Sequence, residues 1–94
     1  MVGTQDISSR TTLNLFYFAA AAESMGRHEE TVTVPSGESL ESVVSALVAS
    51  RPGAGRVLEI CALLVDGVTF RDRSAPLPAR DHLRIDVLPP FAGG

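Results

Sequence analysis

The chain has 94 residues, 45% of them apolar, 20% charged and 5% aromatic, a balance that argues against disorder and against more than one domain. Eleven acidic residues against eight basic ones leave a formal charge of −3 and no basic stripe, so counterion release has little to act on and nucleic acid is not an expected partner. All eight basic residues are arginine, which excludes any chemistry that needs a lysine amine in this chain.

Residues 1–10 are small and polar without a usable period and are expected to form a flexible leader. Arg10 followed by Leu13-Asn14-Leu15-Phe16-Tyr17-Phe18 and four alanines imitates a signal peptide. Asp6 offsets Arg10, however, and cleavage after Ala22 would remove the best strand in the sequence. No apolar run approaches the roughly 20 residues that span a bilayer, so no membrane partner is expected. Thr11 to Phe18 reads as a strand buried on much of both faces, with Leu13, Leu15 and Tyr17 on one side and Asn14, Phe16 and Phe18 on the other. Ala19 to Met25 fits a short helical turn, closed by Gly26 where a helix end needs a residue at positive φ. Glu30 to Val34 alternates and stops at Pro35, giving a second strand paired back on the first.

Leu40, Val43, Val44, Leu47 and Val48 follow at helical spacing, with Ser39 as the cap and Glu41 in the first turn. This helix is expected to end near Ser50, before a loop over Arg51-Pro52-Gly53-Ala54-Gly55. Leu63-Leu64-Val65, Asp66-Gly67 and Val68-Thr69-Phe70 predict a hairpin on a two-residue turn. Asp72 to Arg80 carries Pro76 and Pro78 and reads as a loop. Leu83 to Leu88 then alternates strictly, with Leu83, Ile85 and Val87 toward the core. The expected fold is α+β, a mixed and mostly antiparallel sheet wrapped on one main helix in the order β-β-α-β-β, with the last strand in the middle of the sheet. The domain is expected over 11–88, with an extended tail over 89–94.

Within the domain the catalytic inventory is poor. His28 and His82 lie in polar segments without a nucleophile or second ligand nearby and read as solvated loop residues. Cys61, between Ile60 and Ala62, reads as a buried small hydrophobe. As the sole cysteine it forms no internal disulfide, and no zinc-ligand spacing is present, so a reducing cytoplasm and no metal are expected. Glu29-Glu30 reads as a solvated strand entrance, and Gly53 with Gly55, lacking a following lysine, is not a phosphate loop.

The tail is different. The last strand runs straight into Pro89-Pro90-Phe91-Ala92-Gly93-Gly94. Consecutive prolines favour an extended, polyproline-like exit, and at roughly 3.3–3.6 Å per residue the six residues reach up to about 20 Å. Gly93 and Gly94 have no side chains, so they can pass a narrow channel and leave the terminal carbonyl open to attack. The plain alternative is a frayed end that happens to finish in glycine.

The strand at the start, the central amphipathic helix, Leu-Leu-Val-Asp-Gly, the Pro-Leu of the following loop and above all Leu-Pro-Pro-Phe-Ala-Gly-Gly together resemble the molybdopterin synthase sulfur-carrier (small) subunits, which are ubiquitin-like β-grasp proteins. The likeness runs from about Thr12 to Gly94, and only the tail motif is specific. The resemblance implies that Gly94 is adenylated by an ATP-using, ubiquitin-activating-like enzyme and converted to a thiocarboxylate. The tail then enters a large catalytic subunit and delivers sulfur to a pterin precursor of the molybdenum cofactor. It implies no permanently bound cofactor, ATP being used by the partner, and no catalysis by this chain alone. Pro89, Pro90, Phe91, Ala92 and Gly93 would contact the partner, with Phe91 as the anchor. Phe16, Phe18 and Phe70 read as core or sheet-face residues, one of the first two adding to an apolar contact patch. A sulfur carrier of a thiamine or cysteine pathway, a ubiquitin-like modifier that passes its glycine to a target lysine, and an interaction module with an idle tail are the alternatives.

Overall fold

A computed structural model describes residues 9–90. Strand β1 (Arg10–Tyr17) leads into helix α1 (Ala20–Met25) and strand β2 (Glu29–Pro35). Helix α2 (Leu40–Ser50), a 3-10 turn (Pro52–Ala54) and helix α3 (Gly55–Ile60) come next. Strands β3 (Ala62–Val65), β4 (Val68–Thr69) and β5 (His82–Leu88) complete the chain. Among the described residues one sheet holds five strands in the order β2-β1-β5-β3-β4, so the element order has one strand more than β-β-α-β-β. β5 is central, as expected. It runs parallel to β1, from Thr12 opposite His82 to Tyr17 opposite Val87, and antiparallel to β3, from Val65 opposite Ile85 to Ala62 opposite Leu88.

Alternation decides which face is apolar. Leu13, Leu15 and Tyr17 of β1, Leu63 and Val65 of β3, and Leu83, Ile85 and Val87 of β5 form one buried layer. Helix α2 lays Leu40, Val43 and Leu47 on that layer, while α1 adds Met25 and α3 adds Leu58. Burying each large aliphatic side chain contributes about 1.5–3 kcal/mol, so this face carries the stability of the domain. The outer face of β1 is less covered than expected: Thr12, Asn14 and Phe16 are half-buried and Phe18 is 40% exposed. Among the described residues the helices put their buried side chains into the layer on the other side.

The helix ends are set by local chemistry. Ser39 Oγ accepts from Ser42 N at 3.1 Å, and Glu41 N donates to the Arg73 carbonyl at 2.8 Å, so two of the orphan donors of α2 are satisfied. Gly26 closes α1 at φ 74. The Asp66-Gly67 turn has φ 50 and 85, the mirror-image turn that suits a twisted hairpin. The expected loop after α2 is instead a 3-10 turn continuing into α3. Pro52 sits at its first position, where a missing N–H costs nothing. Leu77, within the predicted loop, is 4% exposed, and its N–H donates to the Glu38 carbonyl at 2.9 Å.

Candidate functional site

The candidate site begins where β5 ends. Because β5 is hydrogen-bonded on both sides, the tail leaves from the middle of the sheet and not from a frayed edge. Phe18 N donates to the Val87 carbonyl at 3.2 Å and Leu88 lies opposite Ala62, which anchors the strand up to its last residue. Pro89 has no N–H to continue either ladder; it is half-buried, and Pro90 is exposed. Phe91, Ala92, Gly93 and Gly94 lie outside the described residues. The strand that leads into 89–94 is therefore central and paired up to Leu88.

Two exposed apolar residues lie on or next to the segments that pair with the end of β5. Phe18 is 40% exposed beside Val87, and Ile60, which leads through Cys61 into the strand opposite Leu88, is 60% exposed. On the outer face the Arg84 guanidinium lies 4.1 Å from the centroid of the Phe16 ring and its Nε donates to Asp86 Oδ1 at 2.9 Å. Such stacking holds a charged side chain flat over an aromatic one and shields the ring in part. Phe16 is the covered phenylalanine of the pair and Phe18 the available one. Phe70 is partly buried against the core.

On the inner side of the same end lies a network that sequence reasoning missed. Tyr17, 2% exposed, donates its hydroxyl to Glu30 Oε2 at 2.5 Å, and Arg27 Nη1 donates to Glu30 Oε1 at 3.1 Å. Glu30 is thus a structural acceptor and not simply a solvated residue at a strand entrance. Burial, then the hydrogen bond to Glu30 and its charge, push the Tyr17 hydroxyl far above the ordinary tyrosine range, and Arg27 offsets only part of this. The signal was the register: Leu15 opposite Glu30 sets that carboxylate beside the end of β1, and register is not visible in either strand alone.

The remaining candidates fall where their chemistry is idle. Cys61 is buried, and burial pushes its thiol up, offset in part by Arg73, whose Nη2 donates to the Cys61 carbonyl at 2.6 Å. His28 is exposed between α1 and β2; His82 is exposed but opens β5 and is not a loop residue. Gly53 lies in the 3-10 turn and Gly55 opens α3 in right-handed helical geometry, so the pair makes no anion loop. Asp72 is held below the usual carboxylate range by the Ser74 hydroxyl and N–H, the ordinary bonds of a turn. Among the described residues no group of three His, Cys, Asp or Glu could hold a metal ion, and no helix is long and apolar enough to cross a membrane.

Comparison with known proteins points the same way. The model of the ThiS family matches residues 15–94. The chain is similar to the molybdopterin synthase sulfur carrier subunit of Chlamydomonas reinhardtii, 27% identical over 84 residues that cover 87% of this chain and 98% of that one. Among solved structures, the HVO 2177 protein of Haloferax volcanii superposes with a TM-score of 0.71 at 26% identity, covering 92% of this chain and 89% of that one. A protein–protein complex of subunits 1 and 2 of the molybdopterin-converting factor of Helicobacter pylori matches with a TM-score of 0.59 at 21% identity, over 89% of this chain and all of that one, which is a likeness of fold.

Proposed function

Because the chain belongs to the ThiS family, we propose that it is a sulfur carrier whose working group is the carboxyl of Gly94, serving a molybdopterin synthase. The observation that carries this reading is where the chain leaves the sheet. The central strand of the sheet runs off into Pro89 and Pro90, neither of which can donate to a neighbouring strand and extend the ladder. The similarity to the Chlamydomonas subunit supports the pathway.

A carboxylate is a poor electrophile, so sulfur cannot replace its oxygen directly. A partner enzyme with ATP joins a Gly94 oxygen to the α-phosphorus and releases pyrophosphate. A sulfur nucleophile then adds to the acyl carbon and AMP leaves with the oxygen, giving the thiocarboxylate. The arm next enters a large catalytic subunit, where sulfur passes to a pterin precursor and water restores the carboxylate. This chain supplies reach and an unhindered carbonyl, and its partners supply acids, bases and the nucleotide site. Phe91 anchors the arm in the partner, and Phe18 provides apolar contact at its base.

Incubation with a candidate activating enzyme, ATP and sulfide, with intact-mass measurement of the product, tests the proposal. The expected product is heavier by the exchange of one oxygen for sulfur, and a chain lacking Gly94 gains nothing. Covalent adducts with other proteins in place of that exchange indicate a modifier. Sulfuration that persists without Gly94 removes the reading altogether.

A further inference from the structure

A cleft of about 120 Å³ opens where the end of α1, the start of β2 and the C-terminus of α2 meet, lined by Met25, Arg27, Glu30, Ser50 and Arg51. Its hydrogen bonding does not balance. Both Glu30 oxygens are engaged, one by the Tyr17 hydroxyl and one by Arg27, and the Ser50 hydroxyl donates to the Leu47 carbonyl at 3.0 Å. Arg51 presents a planar fork of N–H donors to this cleft, and its guanidinium meets no acceptor among the described residues.

Gly26 leaves room for that fork. Gly26 has φ +74, and a Cβ there would lie 2.5 Å from Arg51 Nη2. The residue that closes α1 therefore also makes room for the guanidinium, and a side chain at this position would shift it. Two guanidinium cations against one carboxylate leave this small region positive on a chain of formal charge −3.

We propose that the cleft is a phosphate-binding site in which Arg51 and Arg27 hold one phosphate group, free or as the ester of a small molecule. Guanidinium forks match phosphate oxygens bidentately, and each such bond is charge-assisted. A dianion draws on both cations at once, whereas a single carboxylate competes poorly with Glu30 for Arg27. The space has room for one phosphate group, and Met25 gives an apolar wall for the carbon side of an ester. Neither arginine takes part in the sulfur chemistry of Gly94, so the two readings stand or fall separately.

The test is a nitrogen-15 NMR titration of the full chain with inorganic phosphate, phenyl phosphate and acetate, each at constant ionic strength set with chloride. Saturable shifts are expected at the Gly26, Arg27 and Arg51 amides and at Arg51 Nε. Affinity falls about tenfold in Arg51→Ala and less in Arg51→Lys, which keeps the charge without the fork. Arg51 is exposed, so both variants retain the native spectrum elsewhere. Tighter binding of phenyl phosphate identifies an ester as the ligand, and tighter inorganic phosphate identifies the free ion. Absence of saturation across the millimolar range, equal shifts in Arg51→Ala, or acetate binding as tightly as phosphate overturns the assignment.

Discussion

Raising the pH isolates one buried hydroxyl in this protein. Tyr17 is the sole tyrosine, tryptophan is absent and there is no lysine, so a tyrosinate signal belongs to Tyr17 and no amine of a lysine titrates beneath it. In the folded state burial and Glu30 hold the Tyr17 proton, whereas the unfolded chain releases it near pH 10. Its folded value is the raised one, so the unfolded chain binds fewer protons above that point and stability falls as pH rises. The slope from Tyr17 is about 1.4 kcal/mol per pH unit. Tyr17→Phe removes the slope and also the hydrogen bond to Glu30, which costs about 1.5 kcal/mol because the acceptor is charged. Wild type is therefore the more stable at neutral pH, and the two stability curves meet about one unit above pH 10, where slope and hydrogen bond cancel. Cys61 adds its own loss at lower pH, since its thiol is also raised, but equally in both proteins. Urea unfolding monitored by circular dichroism from about pH 8 to 11 measures the gap, and tyrosinate absorbance at the same pH values reports the proton. A tyrosinate midpoint near 10 with the native dichroism intact would refute the reasoning.

Ser39→Ala deletes the acceptor for Ser42 N and is expected to cost about 1 kcal/mol, lowering Tm by about 4–8 °C in a thermal melt. Ala19 sits at φ 49 and ψ −125, a conformation that glycine adopts freely. Ala19→Gly is therefore expected to stabilise by about 1 kcal/mol as this strain is relieved, read from the same melt, and a drop in Tm contradicts the strain. If the proposed function holds, Phe91→Ala leaves the melt unchanged and weakens binding to a molybdopterin synthase large subunit at least about tenfold by calorimetry, as truncation of an anchor residue does. Unchanged affinity removes Phe91 from the contact set.

Much of the fold was legible because its signals are local. Alternation in 83–88 and 30–34 marked two strands, Asp66-Gly67 marked the hairpin, and the spacing from Leu40 to Val48 with Ser39 marked α2. Helix α3 escaped because it has six residues, one buried side chain and no side-chain cap, too little for a period to show. Leu77 escaped because a backbone bond to Glu38, ahead of α2, ties its segment down without any alternation around it.

For the candidate site the division is sharper. The prolines and glycines of 89–94 suggest an extended arm, since stiffness and slimness are properties of single residues, and of that stretch the structure describes Pro89 and Pro90. What the arm stands on, a strand paired on both sides with Val87 beside Tyr17, came from the sheet. So did the bond from Tyr17 to Glu30 and the seat of Arg51 on Gly26, which join residues 13 to 25 positions apart. Periodicity along a segment shows which face is apolar; it carries no record of which distant segment will lie beside it. That choice is made when the apolar faces close on one another, and it brings their polar neighbours together as a consequence.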